Sequence, residues 1–247
     1  MLSRGLAEGL TPGAVHVNDP KPSDWLTAQR VHENASLPPN PAMTILAVKP
    51  QMMGEALPQV AALSGQTVYL SIAAGTTIAA LEAALGEGSA IIRAMPNTPA
   101  AVARGITALI GNAQVNESDM KLAEGLLSAV GQVVRLDNEG DMDAVTAVSG
   151  SGPAYVFHMI ECLAAAGEAE GLSADLAMAL AKATVAGAGA LDEQAPDSPS
   201  QLRVNVTSPN GTTQAALDVL MDETGGLPPL MRRAVSAAAE RSRELGQ

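Results

Sequence analysis

Aromatic side chains are almost missing from this chain: one Trp, two Tyr and one Phe among 247 residues. A core with so few rings must be built from Ala, Val, Leu, Ile and the 11 Met, which favours closely packed helices. The same scarcity argues against a single-strand nucleic-acid binder, which stacks bases on aromatic platforms. Positive charge is also in short supply. Lys and Arg number 14 against 26 Asp and Glu, for a formal net charge of −12, and such a field repels phosphate backbones. Nucleic acid is therefore not an expected partner, and an anionic ligand needs a local device such as a helix N-terminus. The single cysteine, Cys162, excludes an intrachain disulfide framework. His16, His32 and His158 have no spacing that suggests a metal site. No uncharged apolar run reaches the ~18 residues of a membrane span, and the first residues show no apolar signal region. The expectation is a cytoplasmic protein with no membrane partner.

What is present points to an ordered fold. Hydrophobic residues make up 47% and charged ones 16%, which excludes a disordered chain, and the length suits one or two domains. Short apolar runs at 14–17, 44–48, 67–71, 90–94, 106–110 and 132–136 alternate with helical patterns at 25–32, 52–63, 77–85 and 118–130. Most of the runs lack polar alternation, as expected of strands buried on both faces. Strands alternating with helices predict an α/β parallel sheet with right-handed crossovers. Asn116, with Asp119 three residues on, reads as the cap of the last of these helices. Beyond about residue 138 only helical periodicity remains. Gly171 followed by Ser173 marks one helix stopping and the next starting, and Ser198-Pro199 opens another. Small residues such as Ala183 and Gly187 suit either a bundle between subunits or an ordinary Ala-rich helix.

A dinucleotide-binding sheet normally opens with a strand, a Gly-rich turn and a helix whose N-terminus holds the pyrophosphate. Here residues 1–10 read directly as a helix, closed by Gly9 and Thr11-Pro12-Gly13. Either the first strand and its glycine loop are absent, or the sheet begins elsewhere.

Four motifs could carry chemistry. Ala47-Val48-Lys49-Pro50 ends a strand where open sheets bind ligands; Lys49 is either a phosphate or ribose partner or an ordinary turn lysine. Met95-Pro96-Asn97-Thr98-Pro99 is a stiff loop that either holds a planar ring or merely connects two strands. In Ser149-Gly150-Ser151-Gly152-Pro153-Ala154-Tyr155 glycines interrupt a helical pattern at ~0.5–1 kcal/mol each, so close helix approach or a ligand should compensate. Val206-Thr207-Ser208-Pro209-Asn210-Gly211-Thr212-Thr213 precedes a helix read over Gln214–Leu220. It is either an ordinary N-cap, for which one hydroxyl would suffice, or a carboxylate site, which its four hydroxyls and free amides suit.

Taken in this order, the strings LAVKPQ (Leu46–Gln51), SIAAG (Ser71–Gly75), RAMPNTPA (Arg93–Ala100), DAVTAVSGSGPAY (Asp143–Tyr155) and VTSPNGTT (Val206–Thr213) resemble pyrroline-5-carboxylate reductases. The resemblance implies a Rossmann-type parallel sheet, truncated at its N-terminus, over residues 1–138. An all-α substrate and dimerisation domain follows over 139–247. It implies NADPH or NADH as cofactor, bound by Asn18, Asn34, Ala47, Val48, Lys49 and Pro50, with Met95, Pro96 and Asn97 beside the nicotinamide. Val206, Ser208, Asn210, Gly211 and Thr212 would bind 1-pyrroline-5-carboxylate, and Thr213 would hydrogen-bond or relay a proton to its ring nitrogen. The partner implied is a second copy of the chain, with rings of dimers as a larger form. Asp19 could disfavour a 2′-phosphate, which leaves NADPH against NADH open. Asn210 stands where the family usually has Gly, so that turn needs a residue tolerant of positive φ. Without the glycine loop, weak cofactor binding is expected. The rival readings are a non-catalytic oligomeric remnant and a β-hydroxyacid-type reductase, which would want a catalytic Lys; Lys182 is the only one in the helical half.

Overall fold

A computed structural model describes every residue except Met1 and Gln247. It divides into two compact units. One runs to Gly150 and takes in the chain from Ala239 on; the other is Ser151–Ala238.

The first unit opens with α1 (Leu2–Ala7), then β1 (His16–Val17), α2 (Asp24–Thr27) and β2 (His32–Glu33). β1 and β2 pair in parallel as a separate two-stranded ladder. The helix expected over 25–32 is only the single turn α2, because Arg30 turns left-handed (φ 59°) and the chain re-emerges as β2, a strand too short to show periodicity. A five-stranded sheet follows in the order β3-β4-β5-β6-β7. Its strands are β3 (Met43–Leu46), β4 (Val68–Ser71), β5 (Ala90–Met95), β6 (Gly105–Gly111) and β7 (Gly131–Arg135). Between them lie α3 (Met53–Val60), α4 (Ile78–Leu85) and α5 (Glu117–Ser128).

The period of two along each strand sorts side chains to opposite faces. Tyr69 and Ile91 join Met53, Leu57, Ile78 and Leu81 in one apolar cluster with α3 and α4. Val68, Leu70, Ile92 and Leu109 join Ala123 and Leu127 in a second cluster with α5. All four residues of β4 are buried, which is why the strand reads as an unbroken apolar run. One pairing departs from the expected parallel order: β5 and β6 are antiparallel. The loop from Pro96 to Arg104 is shorter than the dozen or more residues a parallel crossover needs, so the chain turns back. β7 then pairs parallel to β6. At that edge a Cβ on Gly131 (φ 144°) would lie 2.0 Å from the Gly105 carbonyl oxygen, so only glycine fits. Asn116 caps α5 through a reciprocal box with Asp119.

Segment 139–150 also packs on this unit, so the unit boundary falls later than the change of pattern near residue 138. It contains α6 (Met142–Val145) and a π-helical turn over Thr146–Gly150. The second unit holds α7 (Gly152–Ala169), α8 (Ala174–Gln194), α9 (Pro199–Asn205), α10 (Thr212–Leu220) and the start of α11 (Leu227–Leu245). Ala164, Ala177 and Ala181 are the buried contacts of α7 with α8. A Cβ on Gly167 would sit 3.3 Å from that of Ala177, so small residues set this close approach. Gly171 (φ 98°) ends α7 and the Ser173 hydroxyl caps α8. By length and composition α8 is apolar enough to cross a membrane. It carries Asp175 and Lys182 within its run and exposes Leu176, Leu180 and Leu191. The end of α11, from Ala239 on, belongs to the first unit, where Ser242 Oγ donates to Asp143 Oδ1 (2.6 Å).

Candidate active site

In the first unit the parallel strands β1 to β5 end in loops that carry every expected cofactor residue. Asn18 follows β1 and Asn34 follows β2. The Asn34 side chain accepts from the Asp19 amide (3.0 Å) and donates to the Asp19 carbonyl (2.9 Å), which clips the two loops together. Asn34 itself is left-handed (φ 48°), a conformation asparagine tolerates better than most residues. Asn18 Nδ2 donates to Gln59 Oε1 on α3 (3.1 Å), which ties this edge to the β3 side of the main sheet. Asp19 Oδ1 is already held by the Lys21 amide (2.8 Å).

Ala47, Val48, Lys49 and Pro50 follow β3. Pro50 starts a short 3-10 turn at the entry to α3, with the Lys49 carbonyl accepting from the Met52 amide (2.8 Å). Lys49 is exposed, so its ammonium can meet a phosphate. Met95 is the last residue of β5, and Pro96 and Asn97 follow it. Asn97 Oδ1 accepts from the Ile106 amide (2.9 Å), so that oxygen braces the loop and is not offered to a ligand.

The donor chemistry fits a dinucleotide. Asparagine amides and an ammonium lie at one end of the carboxyl edge, a stiff apolar loop at the other, and ligands of open parallel sheets bind along that edge. Beneath the edge, buried Arg93 on β5 donates from a guanidinium nitrogen to Glu139 Oε1 (2.7 Å). The same oxygen accepts from the Ile78 amide (2.9 Å), a carboxylate on the first turn of α4. Sequence reading missed this pair, since 46 residues separate its partners.

The residues expected to bind substrate lie in the second unit. Val206, Ser208, Asn210 and Thr212 are exposed; Gly211 and Thr213 are half-buried. Asn210 is left-handed (φ 58°), the conformation its position demands. It turns the chain so that the Gly211 amide donates to the Ser208 carbonyl (3.0 Å). The helix begins at Thr212, not at Gln214. Thr212 and Thr213 therefore occupy its first turn, where backbone amides have no intrahelical partner and the dipole favours an anion. No side chain caps this end. Of the four hydroxyls, Thr207 is spent, since its Oγ1 donates to the Arg203 carbonyl (2.6 Å).

A cavity of about 590 Å³ lies next to this turn, lined by Arg203, Thr207, Gln214, Asp218 and Asp222 among others. Hydrogen bonds from Thr224 and Gly225 hold the Asp222 carboxyl below its ordinary range. Such acidic walls do not suit a carboxylate ligand, and Val206, Ser208, Asn210 and Thr213 are not among its lining residues. The helix mouth is the better anion site.

Comparison with known proteins meets this geometry. A family model described as pyrroline-5-carboxylate reductase dimerisation matches residues 139–245. The pyrroline-5-carboxylate reductase of Pseudomonas aeruginosa is 40% identical over 98% of this chain and 90% of its own length. The chain belongs to the pyrroline-5-carboxylate reductase family. The Synechocystis reductase is 44% identical over 82% of the chain and 74% of its own length. Among solved structures, the Coxiella burnetii pyrroline-5-carboxylate reductase superposes with a TM-score of 0.91 at 35% identity, covering 100% of this chain and 93% of that one. The Plasmodium falciparum enzyme, solved with NADP bound, gives 0.82 at 29% identity with the same coverage. The parallel-dominated sheet with flanking helices, followed by a helical dimerisation domain, is thus the architecture of this reductase family.

Proposed function

We propose that this chain reduces 1-pyrroline-5-carboxylate to L-proline with NADPH or NADH, and works as a homodimer in the cytoplasm. The observation that carries the reading is the mouth of α10. A left-handed Asn210 and a tight Ser208–Gly211 turn present unpaired amides beside the Thr213 hydroxyl. A five-membered cyclic imine bearing a carboxylate matches it: the carboxylate sits on the amides of Thr212 and Thr213, in the first turn of α10, and the ring nitrogen reaches the Thr213 hydroxyl.

When bound, the reduced nicotinamide supplies a hydride. Asn18, Asn34 and Lys49 would hold the adenosine and phosphate end of that cofactor, and the Met95–Asn97 segment would orient its ring. The α10 amides and dipole fix the carboxylate and so place the imine carbon. Protonation of the ring nitrogen makes that carbon electrophilic. Thr213 hydrogen-bonds that nitrogen and relays its proton; an alcohol is too weak an acid to be the free source. The hydride and one proton together convert C=N to CH–NH, which balances the reduction. Alignment supplies most of the acceleration. The identity to named reductases favours this substrate over a β-hydroxyacid, and Lys182 lies exposed on α8.

The test follows the loss of reduced-nicotinamide absorbance with the imine as substrate, in parallel with binding of proline. Turnover that proline inhibits competitively against the imine supports the reading. A folded chain that consumes no cofactor with this imine refutes it.

A further inference from the structure

The face of β5 that carries Arg93 also carries Met95, since side chains two apart share a face. Segment 139–150 is tied to both. Glu139 accepts from Arg93 (2.7 Å). At the other end of the segment, a Cβ built on Gly150 would lie 2.5 Å from the terminal methyl of Met95. Gly150 closes the π-helical turn Thr146–Gly150, a geometry that recurs at functional sites. The buried Ser149 hydroxyl in that turn has no hydrogen-bond partner, so hydrogen bonding by this side chain does not hold the turn.

The position of Met95 along the sheet decides what it can touch. The Asp19–Asn34 clip, with Asn18 beside it bonded to Gln59 of α3, sits on the β3 side. β5 is the last strand of the run that β3 and β4 begin in parallel. A dinucleotide whose adenosine end lies at the clip brings its other end to the β5 loop. This step rests on the function proposed above.

We propose that Gly150 is a positioning residue for hydride transfer. With no side chain, it leaves room for the Met95 thioether against the π-helical turn, and this seat orients the Met95–Asn97 loop toward the nicotinamide. Neither end of the ladder alone does this. The Arg93–Glu139 pair holds the segment to the strand, and the glycine sets how closely the segment approaches the loop.

A methyl at position 150 is a narrow probe of this arrangement. The atom it meets is the tip of an unbranched, pliable side chain, so the methyl displaces Met95 and leaves the backbone in place. Gly150→Ala is compared with wild type for kcat, for NADPH affinity by fluorescence of the bound dihydronicotinamide, and for affinity toward adenosine 2′,5′-bisphosphate, which lacks the ring. Displacement of a positioning contact by about an ångström can cost up to a hundredfold. The expected result is a kcat lower by ten- to a hundredfold and a weaker, altered NADPH signal. Affinity for the bisphosphate stays within twofold.

A kcat within twofold of wild type overturns the proposal. So does an equal loss of affinity for both ligands. If Gly150→Ala does not fold, Met95→Ala carries the test with the same split between ligands. A wild-type chain inert toward the imine refutes the proposed function and this inference with it. An active wild type with an indifferent Gly150→Ala refutes the inference alone.

Discussion

Two residues of the α10 mouth separate chemistry from shape. Thr213 is half-buried in the first turn of the helix, and alanine is a strong helix former, so Thr213→Ala should leave the fold intact. A hydrogen bond to a charged partner contributes about 1.5–3 kcal/mol, so kcat/KM for the imine should fall roughly ten- to a hundredfold. Steady-state kinetics with a thermal melt beside them checks this, and unchanged kinetics would remove Thr213 from the mechanism. Asn210 acts through shape. Its φ of 58° costs an ordinary L-residue about 1–2 kcal/mol. Asn210→Gly should therefore be nearly silent, whereas Asn210→Val should raise KM for the imine several-fold with little effect on NADPH affinity. The need for a φ-tolerant residue here came from the resemblance, since Asn210 stands where the family usually has Gly, and the left-handed backbone agrees with it. The helix start was not legible: Thr212 and Thr213 are weak helix formers by propensity, and only the unpaired first turn shows that they belong to α10.

At the scale of elements, caps were easier to read than pairings. Asn116 with Asp119, and Gly171 with Ser173, are local signals, and both stand where local rules put them. β2 and the reversal at β5–β6 depend on loop length and on neighbours distant in sequence, which periodicity does not encode. The Arg93–Glu139 pair is of the second kind, and it binds β5, the start of α4 and the segment after β7 at one oxygen. Glu139→Ala leaves a buried guanidinium without its partner. Fully buried pairs cost about 3–5 kcal/mol when broken; Glu139 is 31% exposed, so a loss of about 2 kcal/mol in urea unfolding is expected. Glu139→Gln, which keeps the hydrogen bonds, should lose less.

A second tie acts through pH. Arg135 on β7 binds Glu117 and Glu124 of α5, and its hydrogen bonds hold both carboxyls below the ordinary range. Carboxyls lowered in the folded state add stability above the unfolded Glu value of about 4.3, and lose it as pH falls through the folded values. The Tm of the wild type should thus drop more steeply between about pH 5 and pH 3 than that of Arg135→Gln. The difference should be small, because the three side chains are largely in water. Parallel curves would show that the tie adds nothing.

For the molecule as a whole, the two units differ in how they bury their apolar surface. The sheet unit encloses two clusters of its own. The second unit encloses little beyond three alanines, while Phe157, Met159, Leu163, Leu176, Leu180 and Leu191 stand exposed. A large exposed apolar surface marks an interaction face, and the matched dimerisation family covers all of these residues. The scarcity of aromatics foreshadowed the pairing of α7 with α8, since Gly167 and Ala177 approach to a distance that larger side chains forbid. Which leucines remain for a second copy could not be read from a pattern that is apolar on most sides. If those residues form the contact between copies, a charge placed among them loses its hydration on assembly without gaining a partner. Phe157, 60% exposed, is the most direct place for it. Phe157→Glu should convert dimer to monomer in sedimentation, with far-ultraviolet circular dichroism unchanged because the side chain supports little within its own unit. Helix α7 would keep its alanine contacts to α8 and lose only its partner. A variant that stays dimeric would move the interface to another face of the bundle, and Leu180→Glu on α8 would then identify which one.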